Sequence, residues 1–138
     1  IRDPGNLGTI IRICDWYGFK QLVLSEDCTE FYNPKVIIST MGSFSRLEFS
    51  YVDLPIFFAA HPQIKKIGAV LSGENIHHYQ FPEKAFIILG NESNGIREEI
   101  IDTLDERITI PAFGAAESLN VGISTAVIAD NLKRFILS

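Results

Sequence analysis

Short apolar runs alternate with helical segments along the whole chain, and this alternation restricts the possible folds more than any other feature of the sequence. The clearest run is Ala85–Leu89, which is followed at once by a glycine-bearing loop, Gly90–Gly95, and then by a helical segment. Parallel strands need crossover connections of this kind, which are usually helices. The sequence therefore predicts an α/β fold with a mainly parallel sheet and helices on both faces. In such sheets ligands bind in loops at the carboxyl ends of strands, a position that fits the loops after Leu71, Leu89 and Ile110.

Hydrophobic periodicity and turn residues divide the chain into predicted elements. Apolar runs predict strands at Gln21–Ser25, Leu47–Val52, Ile67–Leu71, Ala85–Leu89 and Arg107–Ile110. Helical spacing predicts helices at Leu7–Tyr17, Pro34–Ser39, Pro55–Ala60, Ile96–Asp102 and Asn120–Phe135. Asp3–Asn6 is predicted as a turn in which Asn6 caps the first helix, and Ser72–Asn75 as the loop that ends the third strand. No internal repeat or linker interrupts the series.

Length, charge and cysteine content limit the possible functions. The 138 residues suffice for one ordinary domain. The net charge of -5 argues against this segment alone gripping a nucleic-acid backbone, which needs a concentrated basic surface. Cys14 and Cys28 lack the spacing of a disulfide framework or a zinc site, which favours a reducing, cytoplasmic compartment. No apolar run approaches the ~20 residues of a membrane span. Because the chain starts at Ile1 without Met, we expect further residues before it.

The segment from Ile110 to Gly122 combines a strand end, a polar loop and the start of the last helix. Pro111 cannot donate a ladder hydrogen bond, so the strand must end there. The helix that follows is rich in small and apolar residues and is predicted to be buried on more than one side. Ser118 and Asn120 stand beside the N–H groups of its first turn, where an anion or a carboxylate is favoured. This loop is therefore a candidate binding site.

The loop Gly90–Gly95 matches neither the GxGxxG nor the Walker pattern of phosphate-binding loops. A tight turn explains a glycine-rich loop of this kind about as often as a binding site does. Glu92 stands at the mouth of a buried strand and needs either solvent or a partner. Arg12 is the predicted partner, and the alternative is that Arg12 is an ordinary exposed helix arginine.

Metal binding and hydrolysis are both disfavoured by the arrangement of the polar residues. His77 and His78 are adjacent, so they cannot face the same way on a helix or a strand, and no Cys, Asp or Glu cluster completes a metal shell. Ser118 has no histidine in a recognisable base position and no GxSxG motif around it. We therefore expect no metal and no serine nucleophile.

Three separated segments occur in an order and a spacing that span nearly the whole chain. They are Asn6–Arg12, with the pattern NxGxxxR, then Ile88–Ile96, and finally Ile110–Val121. Together they resemble the SpoU/TrmH family of RNA 2'-O-ribose methyltransferases, within the knotted SPOUT superfamily. The resemblance implies S-adenosylmethionine-dependent transfer of a methyl group to a ribose 2'-hydroxyl of rRNA or tRNA. It also implies that the C-terminal part of the sheet is threaded into a deep trefoil knot, an exception to the rule against knots.

The resemblance also assigns roles to residues by their positions in these motifs. The implied catalytic residues are Asn6, Arg12, Glu92, Ser118 and Asn120. The implied cofactor-binding residues are Gly90, Ile110 and Leu119, with Leu71, Ser72, Gly73 and Asn91 as neighbours. The last helix is similar to one that family members pack against a twin subunit, so a homodimer is expected. Residues 1–138 would then be the catalytic domain, and its first strand and any RNA-binding domain would precede Ile1.

Arg12 is the residue to which family proposals give the role of base, but a guanidinium with a pKa above ~12 is a poor proton acceptor. We expect Arg12 to stabilise the developing alkoxide and to grip a neighbouring phosphate. One position departs from the family, since many relatives read Asn-Val-Ser where this chain reads Asn120-Val121-Gly122. Two other functions stay open: a catalytically silent RNA-binding or assembly module of the same fold, and a nucleotide-binding α/β domain.

Overall fold

The computed structural model describes residues 1–137, with side chains through residue 134. The helices are α1 (Pro4–Trp16), α2 (Pro34–Thr40), α3 (Leu54–Ala59), α4 (Glu98–Ile101) and α5 (Val121–Leu137). The strands are β1 (Gln21–Ser25), β2 (Glu48–Val52), β3 (Lys65–Asn75), β4 (Ala85–Ile88) and β5 (Glu106–Thr109), and a 3₁₀-helix covers Ser43–Arg46. Within this part of the chain no helix is both long and apolar enough to cross a membrane.

The strands form two parallel sheets instead of the single sheet that the sequence suggested. In the first sheet β1 pairs with β2, from Gln21 opposite Glu48 to Ser25 opposite Val52. In the second sheet β3 lies between β4 and β5, and both of its neighbours run parallel to it. Helix α2 lies between β1 and β2, and α4 lies between β4 and β5, whereas residues 76–84 connect β3 to β4 without a helix. The predicted α/β class with parallel strands is therefore confirmed.

The three-stranded sheet carries helices on both faces. Because successive strand residues point to opposite sides, β4 contributes to two separate cores. Ile87 packs on the side of α5, against a core that includes Ile128. Ile88 points the other way and packs with Phe58 of α3 and Ile100 of α4. The sheet is thus buried on both faces, as the continuous apolar run of β4 predicts.

Gly8 determines how closely α1 and α2 approach each other. A β-carbon at this position would overlap the β-carbon of Ser39 and would lie 3.0 Å from the carbonyl oxygen of Val36. Both residues belong to α2, and buried side chains of the two helices, including Leu7 and Val36, share one core. The close approach that glycine permits at this position is therefore a helix–helix contact.

The first helix begins earlier than the sequence predicted. Asp3 is its N-cap, with Oδ1 accepting hydrogen bonds from the N–H of Gly5 at 2.7 Å and from that of Asn6 at 3.4 Å. Pro4 occupies the first helical position, where a missing N–H costs nothing. The prediction that Asn6 caps the helix is therefore wrong. Asn6 lies in the first turn, and its side chain is available for contacts outside the helix.

The third strand is longer than predicted and is interrupted. Ala69 and Glu74 both lie opposite Ile108 of β5, so residues 70–73 have no partner on that strand. We call these four residues the β3 excursion. The predicted loop at Ser72–Asn75 is wrong because Glu74 and Asn75 pair with β5 again. The other elements lie within about two residues of their predicted bounds, apart from the start of α1.

We expect Gly8→Ala to lower the free energy of unfolding by about 1–3 kcal/mol, the usual cost of overpacking a buried contact. Gly5→Ala is the matched control, since it lies in the same helix and its nearest neighbour would be the Asp3 Oδ1 atom at 3.2 Å, the end of a side chain that can move. Urea unfolding of the two variants beside the unmodified protein gives the comparison. Equal stability of the two variants would contradict this account of Gly8.

Candidate active site

Side chains from three distant parts of the chain are joined by a short series of hydrogen bonds. The Nδ2 of Asn120 donates to the Oδ1 of Asn6 at 2.9 Å, and the Nδ2 of Asn6 donates to the Oε1 of Glu92 at 3.1 Å. Asn6 belongs to α1, Glu92 to the loop after β4, and Asn120 to the loop before α5. The three sequence motifs therefore meet at one place.

The hydrogen bonds at the N-terminal end of α5 determine how the side-chain amides of Asn120 and Asn6 are oriented. The backbone N–H groups of Gly122 and Ile123 donate to the Oδ1 of Asn120 at 2.8 and 3.2 Å, so Asn120 is the N-cap of the helix. With its oxygen accepting these bonds, Asn120 can present only its NH₂ group to Asn6. Asn6 then offers its oxygen to Asn120 and its NH₂ group to the carboxylate oxygen of Glu92, which accepts.

The N–H groups of Gly122 and Ile123 in the first turn of α5 are therefore already occupied. The anion site expected there is instead filled by the side chain of Asn120. Ser118 is exposed and makes no side-chain hydrogen bond within the described residues. Of the two polar residues predicted in this loop, Asn120 has a structural partner, and Ser118 is left facing solvent.

Arg12 does not pair with Glu92 as the sequence suggested. Glu92 accepts its hydrogen bond from Asn6. Arg12 lies on the exposed side of α1, two turns after Asn6, and forms no ion pair among residues 1–134. Its guanidinium is thus presented to solvent from the same helix that carries Asn6.

The loop Gly90–Gly95 is held as a tight turn by its own backbone. Asn91 and Gly95 exchange two backbone hydrogen bonds of 3.2 Å, and Gly95 adopts a φ of 68°. The Oδ1 of Asn91 accepts from the N–H groups of Ser93 and Asn94 at 2.9 and 2.7 Å. Because these amides are satisfied internally, the loop does not form a phosphate cradle. The loop is therefore a tight turn, and this turn presents Glu92 to Asn6.

The remaining cofactor-binding candidates lie on the β3 excursion and on the segment after β5. Leu71 is 79% exposed, although it is a large apolar residue, and Leu119 is 50% exposed. Ser72 and Gly73 are exposed beside Leu71, whereas Ile110 is half-buried and packs against the core under α5. Gly90 is half-buried, and a β-carbon there would overlap the backbone of Gly95.

Other reactive groups in the described part of the chain do not form a competing site. Burial raises the pKa of the Cys14 thiol to about 11, so this cysteine stays protonated and unreactive at neutral pH. Within the same residues no group of three or more His, Cys, Asp or Glu side chains is placed to hold a metal ion.

Comparison with known proteins decides the family. A sequence model of the SpoU rRNA Methylase family matches residues 1–130. The chain belongs to this family.

Three relatives illustrate the similarity. The chain is 30% identical over 96% of its length to a Bacillus subtilis protein named 23S rRNA (guanosine(2553)-2'-O)-methyltransferase RlmP, of which it covers 55%. It is 27% identical over 97% of its length to an Aquifex aeolicus tRNA (guanosine(18)-2'-O)-methyltransferase, of which it covers 65%. The AdoMet-bound rRNA methyltransferase of Sinorhizobium meliloti superposes with a TM-score of 0.91 at 28% identity, over 99% of this chain and 54% of that one. The chain thus spans about half the length of the relatives it matches.

Gly122 is the position at which this SpoU chain departs from the motif expected from its sequence, and it packs closely against neighbouring side chains. A β-carbon at Gly122 would lie 3.0 Å from Cγ2 of Thr9 and 3.1 Å from Oδ1 of Asn120, which is tighter than ordinary contact. Further along, the hydroxyl of Tyr17 donates to Asp130 at 3.2 Å, so α1 and α5 lie side by side and run in the same direction. The side chain of Thr9 fills the space beside Gly122, so a serine at position 122 would crowd it.

Two contacts of this SpoU site could not be found by sequence reasoning. The first is the bond between Asn6 and Asn120, which are 114 positions apart. The second is the packing of Thr9 on Gly122, since Thr9 is an unremarked position inside the first motif. The only signal in the sequence was that Asn6 and Asn120 both belong to the family motifs. This indicated that they lie in one site, but not that they bond to each other.

We expect Asn120→Ala to destabilise the protein by about 1–2 kcal/mol, because the first turn of α5 loses its cap and α1 loses its link to α5. Ser118→Ala is the matched control in the same loop and should stay within about 0.5 kcal/mol of the unmodified protein, as exposed positions usually do. Thermal and urea unfolding measure both. A destabilisation by Ser118→Ala as large as that by Asn120→Ala would refute the assignment of the cap.

Proposed function

We propose that this chain is the catalytic domain of an enzyme that transfers a methyl group from S-adenosylmethionine to a ribose 2'-hydroxyl of rRNA or tRNA. The observation that carries the proposal is the series of hydrogen bonds from Asn120 through Asn6 to Glu92, which joins the three family motifs. The names of the relatives support it, since they include methyltransferases of 23S rRNA and of tRNA. A catalytically silent module would have no need to keep this set of residues together with an Arg12 that lacks a carboxylate partner among residues 1–134.

We propose that the cofactor is held between the β3 excursion, the turn after β4 and the segment after β5. The residues that would hold it are Leu71, Ser72, Gly73, Gly90, Asn91, Ile110 and Leu119. Leu71 and Leu119 expose apolar surface at this place, which fits an adenosyl or thioether group better than it fits water. S-adenosylmethionine would supply the electrophilic methyl group there. The AdoMet-bound relative of the same fold supports this choice.

The protein contributes to such a reaction mainly by holding the two reacting atoms in position. Holding the ribose oxygen in line with the methyl carbon, about 3–3.5 Å away, removes a large part of the barrier. Ser118 is exposed two positions before Asn120, and in this proposal its hydroxyl contacts the ribose. Asn6, Glu92 and Asn120 keep the loop of Ser118 and the first turn of α1 in one arrangement.

In this proposal Arg12 contributes its positive charge and does not accept the hydroxyl proton. Its guanidinium has no carboxylate partner among residues 1–134, so it is available to an RNA phosphate and to the developing alkoxide. A guanidinium does not give up its proton near neutral pH, so the hydroxyl proton goes to a phosphate oxygen or to water. The planar fork binds a phosphate through two parallel hydrogen bonds, which a lysine cannot reproduce.

Labelled methyl transfer from S-adenosylmethionine to cellular RNA tests the proposal, with the full-length protein that contains this chain. We expect label on the ribose 2'-oxygen, a loss of at least about a hundredfold in Arg12→Ala, and a large loss in Arg12→Lys, since donors aimed at a developing oxyanion contribute about that much. Lys84→Ala is the control, because Lys84 precedes β4 and lies at the opposite end of the sheet from Glu92.

Each outcome of that experiment has a distinct meaning. Turnover by Arg12→Lys close to that of the unmodified protein would show that any cation suffices and would remove the fork geometry from the mechanism. Binding of S-adenosylmethionine without transfer to any RNA would favour the silent module. Affinity for ATP or NAD, with none for S-adenosylmethionine in a ligand-induced melting shift, would favour the nucleotide-binding domain.

We also propose that two copies associate through α5, as the family resemblance implies, and that the neighbouring α1 contributes to the same surface. Ile123 of α5 is 55% exposed and Trp16 of α1 is 82% exposed, and both are large apolar residues on helices that lie side by side. A second copy would cover this surface. A cytoplasmic location, the trefoil knot, and a first strand and RNA-binding domain before Ile1 stay predictions.

We expect Ile123→Asp to shift the protein from dimer to monomer in sedimentation equilibrium, because a carboxylate would be buried without a partner in the interface. Ile56→Asp is the control, since Ile56 is 70% exposed on α3, a helix that packs on the other face of the three-stranded sheet. A monomeric unmodified protein, or dissociation by Ile56→Asp but not by Ile123→Asp, would exclude the proposed interface.

A further inference from the structure

The β3 excursion is an unusual feature within a pair of parallel strands. β3 follows β5 as far as Ala69, leaves it for four residues, and returns with Glu74 opposite the same Ile108 that Ala69 had faced. Leu71 at its centre is 79% exposed. A segment that leaves a ladder gives up its hydrogen bonds to the neighbouring strand, so its shape must be fixed by other contacts.

The end of the β3 excursion, where β3 rejoins β5, is held in place by a close backbone contact. Gly73 lies directly against β5, and a β-carbon there would lie 2.7 Å from the carbonyl carbon of Arg107 and 2.8 Å from the nitrogen of Ile108. No other residue fits without moving one of the two strands. Gly73 therefore holds the end of the excursion against β5, whereas Leu71 is held by a different contact.

That contact comes from Thr109, the last residue of β5. Its Oγ1 donates to the carbonyl oxygen of Leu71 at 3.1 Å, and its own carbonyl oxygen accepts from the N–H of Ile76 at 2.9 Å. Thr109 also immediately precedes Ile110 and the loop that carries Leu119. One residue therefore links the excursion to the start of the segment after β5, and these are two of the three segments that would hold the cofactor.

We infer that Thr109 is a positioning residue for cofactor binding, whose hydroxyl holds the Leu71 peptide in the orientation that the ligand requires. The inference rests on the proposed function of the β3 excursion. A carbonyl oxygen can accept two hydrogen bonds, so the bond from Thr109 leaves one acceptor site of Leu71 for a donor group of the ligand. Loss of the hydroxyl frees the peptide to rotate, and the binding free energy must then include the cost of ordering it.

Thr109→Val tests the inference because valine keeps the shape and the β-propensity and removes only the hydroxyl. Isothermal titration with S-adenosylmethionine, using the full-length protein, should show a rise in Kd of about threefold to tenfold, which is what one net hydrogen bond contributes. Thr109→Ser keeps the donor and should restore a Kd within about twofold of the original value. The KM for RNA should stay unchanged in both variants.

Thr103→Val is the matched control for a purely structural effect. Its Oγ1 donates to the carbonyl oxygen of Ile100 at 2.7 Å, a bond of the same kind after α4, before the strand β5 begins. Both valine variants should lower the melting temperature by similar amounts, and only Thr109→Val should change the Kd. If Thr109→Val does not fold, the comparison of Thr109→Ser with Thr109→Ala replaces it.

The outcomes separate this inference from the proposed function. An unchanged Kd in Thr109→Val, or equal Kd values for the serine and alanine variants, would overturn the positioning role while leaving the enzyme proposal in place. A similar rise in Kd for Thr103→Val would also overturn it, since any loss of stability would then suffice. Absence of S-adenosylmethionine binding by the unmodified protein would instead defeat the proposed function itself.

Discussion

The side-chain amide of Asn6 holds together parts of the structure that are far apart in the chain. Its oxygen accepts from Asn120, 114 positions away, and its NH₂ group donates to Glu92, 86 positions away. Both roles are needed at once, and an amide supplies both an acceptor and donors at one end of a short side chain. An aspartate here would place two carboxylates side by side, and an alanine would leave both partners without a bond. The first turn of α1, the turn after β4 and the start of α5 therefore depend on this residue for their common arrangement.

Three glycines in or near the family motifs let backbone segments pack closely against each other. Gly8 lets α2 approach α1, Gly73 lets the β3 excursion return against β5, and Gly90 lets its own turn close on Gly95. In each case a β-carbon would meet protein atoms. Close backbone contacts therefore shape these segments, whereas the side chains of Arg12, Leu71 and Ser118 are exposed to solvent.

The charge distribution does not provide the concentrated basic surface that a nucleic-acid backbone attracts. The net charge is -5, and four of the basic residues, Arg46, Lys65, Lys66 and Arg97, are engaged in ion pairs with acidic neighbours. Arg12 is outside these pairs in the described residues. One exposed guanidinium can contact one phosphate, but the long-range attraction to a polyanion needs many more charges.

The sequence by itself determined the local elements and the family. The apolar runs of β1 and β4 and the periodicity of α1, α2 and α5 are properties of neighbouring residues, so they could be predicted within a few positions. The three motifs also indicated which polar residues belong to one site. Predictions of which residues pair with each other were less successful. Arg12 was expected to pair with Glu92, and Asn6 was expected to cap α1. The strand β3 was expected to end at Leu71.

Only the tertiary structure decided those questions, and the physical reason is the same in each case. Asp3 rather than Asn6 accepts from the first amides of α1, which leaves Asn6 free to reach Glu92 and Asn120. Glu74 and Asn75 continue β3 because β5, more than thirty residues later, offers them a second set of partners. A hydrogen bond depends on distances of about 3 Å between atoms that the chain brings together only after folding, and periodicity along the sequence contains no information about those distances.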